Sequence, residues 1–114
     1  NVTAVGSSEG FYLSGAGSSF NLINSVGRST TSTGIYISSG AVNINITNST
    51  GVSGSSYGID LSSSGTVNLI NSTGISSSNY GIYVATGGAN INGSAAYSNT
   101  SHGMYISAAN VIVD

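Results

Sequence analysis

The sequence predicts an all-β solenoid of about five coils, each of 22–24 residues and three short strands. Two observations carry that prediction. A Gly followed by an apolar, any, apolar triplet occurs at Gly10-Phe11-Tyr12-Leu13, Gly34-Ile35-Tyr36-Ile37, Gly58-Ile59-Asp60-Leu61, Gly81-Ile82-Tyr83-Val84 and Gly103-Met104-Tyr105-Ile106, with Gly spacings of 24, 24, 23 and 22. The apolar residues fall in short alternating runs between Gly and Ser rather than at helical spacing. A self-similar period of this length marks a repeat architecture in which each repeat is one supersecondary unit.

Each coil opens on this glycine-led strand. A second strand follows at Phe20-Asn21-Leu22-Ile23-Asn24, Ile44-Asn45-Ile46-Thr47-Asn48, Val67-Asn68-Leu69-Ile70-Asn71, Ala89-Asn90-Ile91-Asn92-Gly93 and Ala109-Asn110-Val111-Ile112-Val113. Its Asn in second place lies 13 residues before the next Gly in all four complete coils, whereas the distance from Gly to that Asn runs 11, 11, 10, 9 and 7. Length variation is thereby assigned to the turns around Ser14 to Ser18 and Ser38 to Gly40, where Gly and Ser tolerate it. A third, shorter strand is centred on Val52, Ile75 and Tyr97, each six residues before the following Gly. Arg28 falls at the same place and is expected to bulge outward at Gly27.

Strand alternation sorts these residues by face. Two inward columns come from the glycine-led strand: Phe11, Ile35, Ile59, Ile82, Met104, and Leu13, Ile37, Leu61, Val84, Ile106. The second strand adds Phe20, Ile44, Val67, Ala89, and Leu22, Ile46, Leu69, Ile91, Val111. Burying each large aliphatic contributes roughly 1.5–3 kcal/mol, and no coil buries its own set without neighbours. The same alternation sends Asn24, Asn48 and Asn71 inward as an asparagine ladder, interrupted at Gly93 and continued by Asn1. Outward columns are Tyr12, Tyr36, Asp60, Tyr83, Tyr105, and Asn21, Asn45, Asn68, Asn90, Asn110, flanked by Ile23, Thr47, Ile70, Asn92, Ile112.

Composition narrows the function. Among 114 residues there are one Lys or Arg, three Asp or Glu, one His, no Cys and no Pro, while Ser, Gly, Asn and Thr make up 65. One cation does not neutralise a run of phosphates, which argues against nucleic-acid binding. No stretch of 18 apolar residues is available to span a membrane. The absence of Cys leaves neither a disulfide framework nor thiolate metal ligands, and Asp does not repeat as calcium-binding coils require. With Asn at position 1, the chain reads as processed or cut from something longer.

The segments Gly34-Ile35-Tyr36-Ile37, Asn71-Ser72-Thr73-Gly74-Ile75 and Asn79-Tyr80-Gly81-Ile82 resemble the coil repeats of the right-handed parallel β-helix family, the pectin-lyase-like superfamily. The resemblance covers essentially the whole chain. It implies a right-handed parallel β-helix with internal asparagine ladders, and a family that includes polysaccharide lyases, hydrolases, tailspikes, adhesins and surface-layer proteins.

Catalysis is not expected. Lyase or hydrolase chemistry needs clustered carboxylates, a metal or a basic residue at the scissile bond, and the available groups are Glu9, Asp60, Asp114, Arg28 and His102. Asp60 lies two coils from Glu9 and from Asp114. His102 takes the place of Thr33, Tyr57 and Tyr80 just before the Gly and reads as a turn residue. No cofactor or metal is implied. Of the Asn-x-Ser/Thr matches at Asn1, Asn45, Asn48, Asn71, Asn92 and Asn99, the expected inward direction of Asn48 and Asn71 leaves Asn45 and Asn99 as the glycan candidates.

The expectation is a single solenoid domain over residues 1–114 with no polar cap at either end. Asn1, Val2, Val111, Val113 and Asp114 are the end-to-end contact residues, stacking a second copy head to tail or continuing a longer repetitive chain. The expected function is a structural subunit or segment of an extracellular, cell-surface or secreted microbial filament. The partner is then the chain itself, with lateral bundling favoured by low charge. The alternative is an adhesin or tailspike-like segment binding glycans along Tyr12, Tyr36, Tyr83 and Tyr105. Ice binding fits poorly, because Thr47 alone supplies a threonine to the outward column.

Overall fold

The computed structural model describes residues 1–17, 19–38, 40 and 43–114. The described residues hold fifteen strands and no helix. In chain order they are β1 (Thr3–Gly6), β2 (Phe11–Leu13), β3 (Phe20–Ile23), β4 (Val26–Ser29), β5 (Ile35–Ile37), β6 (Asn43–Thr47), β7 (Thr50–Ser53), β8 (Ile59–Leu61), β9 (Thr66–Ile70), β10 (Thr73–Ser76), β11 (Ile82–Val84), β12 (Ala89–Asn92), β13 (Ala95–Ser98), β14 (Met104–Ile106) and β15 (Ile112–Val113). Every third strand belongs to the same sheet. The chain therefore winds through three parallel five-stranded sheets: a glycine-led sheet in the order β14-β11-β8-β5-β2, an asparagine sheet in the order β15-β12-β9-β6-β3, and a third sheet in the order β1-β4-β7-β10-β13. Each strand pairs with its counterparts one coil away, as Ile35 does with Phe11 and with Ile59. The fold is a parallel β-solenoid of about five coils with three strands per coil.

The glycine-led and asparagine sheets supply the core. Ile35, Ile59 and Ile82 stack above one another fully buried, as do Ile37, Leu61 and Val84 beside them. Ile44, Val67 and Ala89, with Ile46, Leu69 and Ile91, close the space from the asparagine sheet. Phe11, Leu13, Phe20, Met104 and Val111, in the first and last coils, are only partly buried, because each lacks a neighbour on one side.

The third sheet contributes almost no side-chain volume. One inward column is Gly27, Gly51 and Gly74, with Ala4 and Ala96, and the other is the small serines Ser29, Ser53, Ser76 and Ser98. A Cβ on Gly51 would stand 2.1 Å from the carbonyl oxygen of Gly58, and one on Gly58 would stand 2.3 Å from the backbone nitrogen of Ile75. Two glycine columns thus press backbone against backbone where this sheet meets the glycine-led sheet. Val5, Arg28, Val52, Ile75 and Tyr97 consequently form the outward column of the third sheet. The bulge expected at Gly27 is absent: Gly27 pairs with Gly51 and Arg28 with Val52 in unbroken register.

Two further expectations are corrected. The last strand pairs Ile112 with Asn90 and Val113 with Ile91, two residues later than the Asn110 alignment read from the sequence. Val111 then belongs to the column of Ala89, and Asn110 lies before the strand with a φ of 59° beside Gly88 at 83°. This register makes the last distance from Gly103 to the outward position 9 rather than 7 residues, equal to the coil before it. The turns assigned to length variation are joined by a bridge between Ala16 and Gly40; Ser18 and Ser39 lie outside the described residues.

The second correction concerns the asparagine corners. Asn24, Asn48 and Asn71 have φ of 51°, 50° and 47° and are exposed, not inward. A residue in the left-handed region turns the chain, and that breaks the two-residue alternation on which the inward placement rests. Gly93 takes the same conformation, φ 58°, in the same column. The inward residue at this corner is the next one, serine. Ser25, Ser49 and Ser72 are buried, and each Oγ donates back to the carbonyl two residues earlier, at 2.9 Å in all three. The hydroxyl also accepts the N–H of the serine one coil before: Ser25 N to Ser49 Oγ at 3.2 Å, Ser49 N to Ser72 Oγ at 3.1 Å, and Ser72 N to Ser94 Oγ at 3.1 Å. An internal polar ladder exists, but it is built of serine.

Two tests follow from these contacts. In chemical denaturation, Gly51→Ala is expected to lose at least about 3 kcal/mol or fail to fold, because its neighbour is backbone and cannot yield, whereas Gly87→Ala, whose added Cβ meets nothing closer than 3.6 Å, stays within about 0.5 kcal/mol. Ser49→Ala leaves the buried Ser25 N–H unpaired and is expected to cost about 1–3 kcal/mol, while Asn48→Gly is tolerated because Gly enters the left-handed region freely.

Candidate interaction surfaces

Three outward features were singled out by sequence: a tyrosine column, an asparagine column and the two ends. On the asparagine sheet the side chains form a ladder. Asn45 Nδ2 donates to Asn21 Oδ1 at 2.8 Å, Asn68 to Asn45 at 2.8 Å and Asn90 to Asn68 at 3.0 Å. Each inner amide is used on both sides, as donor to one coil and acceptor from the other. This engages Asn45, so a glycan there would break the ladder. The exposed corners Asn48 and Asn71 are freer acceptor positions than the sequence indicated, alongside the exposed Asn99.

The glycine-led sheet carries two aromatic columns. One is the expected Tyr12, Tyr36, Asp60, Tyr83, Tyr105 column; the other, from the residue before each Gly, runs Glu9, Thr33, Tyr57, Tyr80, His102. They interleave. Tyr57 stacks on Tyr83 with centroids 4.9 Å apart, and Tyr80 on Tyr105 at 4.7 Å, with interplanar angles of 22° and 14°. Tyr12 and Tyr36 form a separate stack at 5.1 Å. His102 lies tilted beside Tyr80 and Tyr105. Rings stacked along the solenoid axis cover one another's faces and turn their edges and hydroxyls to solvent. Faces remain open where a stack ends.

Asp60 interrupts the tyrosine column at the third coil. It is only 7% exposed, and its carboxylate accepts a hydrogen bond from Ser62 Oγ at 2.5 Å. Burial pushes its pKa up to about 6, against the lowering effect of Ser62. Burial and the nearby Asp60 charge in turn raise the Tyr57 hydroxyl above its ordinary range. Sequence reading treated Asp60 as an outward polar residue. The signal for its burial is its position between Tyr36 and Tyr83 in the column, three residues after Tyr57. Glu9 differs: hydrogen bonds from Ser8 and from its own backbone, then Ser32, hold its carboxyl below the usual range. Among the described residues no three His, Cys, Asp or Glu side chains group to hold a metal ion.

Arg28 lines a shallow groove of about 390 Å³ on the third sheet with Val5, Val52 and Ser53. Among the described residues no helix is long and apolar enough to cross a membrane. At the ends, the outer edges of β1, β2 and β3 and of β13, β14 and β15 have no strand beside them among the described residues. Of the eleven large apolar residues exposed among the described residues, nine belong to the first and last coils: Val2, Val5, Tyr12 and Ile23, then Tyr97, Tyr105, Ile106, Ile112 and Val113.

Asp60 sets a pH dependence. Its folded-state pKa lies above the value of a free carboxyl, so the folded chain holds this proton more tightly than the unfolded one, and stability falls as pH rises from about 4 to about 6. Asp60→Asn is expected to remove that fall and to raise stability at pH 7.5 by up to about 3 kcal/mol, read from urea denaturation at pH 4 and pH 7.5.

No protein-family model matches the chain, nor does any curated protein or solved structure match it.

Proposed function

We propose that this chain is a non-catalytic structural segment of an extracellular microbial β-solenoid filament, of the right-handed parallel β-helix kind, extended by further coils stacked on its ends. The observation that carries the reading is the concentration of exposed apolar residues and unpaired strand edges in the two terminal coils. An exposed edge is a template for another strand, and a coil that lacks one neighbour leaves part of its core wet. A formal net charge of −2 offers little repulsion to stacking or to lateral contact between filaments.

The separation of the carboxylates supports the absence of catalysis. Glu9 and Asp60 sit two coils apart, roughly 10 Å at about 4.8 Å per coil. Glycan binding on the tyrosine face is the weaker alternative. A sugar platform needs an open ring face, whereas the central tyrosines here spend theirs on each other.

Electron microscopy of the purified chain is expected to reveal fibres with an axial repeat of about 24 Å, five coils at the strand spacing. A chain that stays monomeric in sedimentation at high concentration overturns end-on stacking of copies.

A further inference from the structure

We propose that copies of this chain stack in one register, β13, β14 and β15 of one copy receiving β1, β2 and β3 of the next, and that His102 and Glu9 form a charge pair across that junction. The inference rests on the filament reading above and specifies its contact.

The register follows from the columns. The residue before each Gly aligns through the stack by backbone bonds: Gly10 N to Thr33 O at 3.2 Å, Gly34 N to Tyr57 O at 3.1 Å, Gly58 N to Tyr80 O at 3.2 Å and Gly81 N to His102 O at 3.4 Å. The next donor in this series is the N–H of Gly103, and the residue of an incoming first coil that fills the acceptor position is Glu9. Its side chain then lies one strand spacing, about 4.8 Å, from that of His102. The other columns match in the same register. Met104 meets Phe11 and Ile106 meets Leu13 on the inward side, Tyr97 meets Val5 on the third sheet, and Tyr105 offers its ring to Tyr12. All eight are apolar or aromatic, and the four that point outward or cap an end most openly, Val5, Tyr97, Tyr12 and Tyr105, are 41–72% exposed in the free chain. Head-to-head contact would instead place Glu9 beside the matching edge of a second Glu9-bearing coil. A head-to-tail contact is heterologous and stays open, as a fibre requires.

The pair has a charge logic. Imidazole changes charge between pH 5 and 8, and Glu9 stays ionised in mild acid because serine hydroxyls favour its charged form. Each Glu9 oxygen carries one serine donor and retains lone pairs for another. On His102 the facing groups are Tyr80, Tyr105 and the Ser101 hydroxyl, 3.5 Å from Nδ1, none of them a cation. The Asp114 side chain lies in the last coil, and Asp60 sits two coils from either Glu9 or His102. An imidazolium–carboxylate pair across the junction is present only while the imidazole is protonated and the carboxylate ionised, so its contribution belongs to mild acid and is absent where imidazole is neutral.

The test is the critical concentration for fibre formation of the full chain, measured by sedimentation at pH 5.5 and pH 7.5. The wild-type value is expected to be about two- to fivefold lower at pH 5.5, the range of an exposed ion pair. The drop should shrink in high salt. It should vanish in both His102→Gln and Glu9→Gln, a comparison that cancels the titration of Asp60 and of the chain ends. Fibres whose critical concentration has the same pH dependence in wild type and either variant, or none in wild type, overturn the pair and leave stacking intact. Absence of fibres from all three proteins at both pH values overturns the stacking itself.

Discussion

In the central coils there is no room for a methyl group between the third sheet and the glycine-led sheet. Gly51 and Gly74 lie within about van der Waals contact of the carbonyls of Gly58 and Gly81, and Gly34, Gly58 and Gly81 lie as close to the third sheet's nitrogens. Only glycine permits backbones to approach so closely. With that edge of the triangle closed, the core is left to two sheets. Ile, Leu and Val from the glycine-led and asparagine strands meet there directly, and the apolar residues of the third sheet are forced outward. The outward column of Val5, Val52, Ile75 and Tyr97 is a consequence of the glycine contact, not a lapse in amphipathic patterning.

A chain with so little charge satisfies its buried polar groups by repetition. Ser29, Ser53, Ser76 and Ser98 line the third sheet's inner side, and each of their hydroxyls accepts the N–H three residues on. Each also donates to a carbonyl of the coil before. The corner serines do the same work at the opposite vertex. Among the described residues no buried side-chain nitrogen or oxygen is left without a partner, which is the condition for a polar-rich interior to be stable. Because each of these serines also takes a partner one coil away, each coil is complete only between two others. That dependence gives the terminal coils their open character and makes addition of a further coil the natural way to satisfy them.

Much of the site geometry was legible as columns and illegible as directions. Tyr12, Tyr36, Tyr83 and Tyr105 were found by their place in the repeat, but their rings stack on one another rather than presenting faces. Tyr57 and Tyr80, which complete that stack, precede the Gly and were read only as turn residues. Asp60 falls in the outward column as expected, yet it is buried there between Tyr36 and Tyr83 of the neighbouring coils. Asn24, Asn48 and Asn71 were assigned by an alternation that a left-handed residue suspends. The Asn-Ser pairs at 24–25, 48–49 and 71–72, with Gly93-Ser94 in the same place, carry the signal: Asn and Gly interchange where φ is positive.

The sequence by itself determined the period, the three strands per coil, the inward aliphatic columns and the scarcity of ionisable groups, because each is written in one dimension as spacing, alternation or count. Only the tertiary structure decided which vertex is closed by glycine, that serine rather than asparagine forms the internal ladder, and that the last strand sits two residues further on. Those outcomes depend on how near two backbones come and on the sign of φ at three corners. Neither quantity is a property of a residue alone; both are settled when one coil is laid against the next.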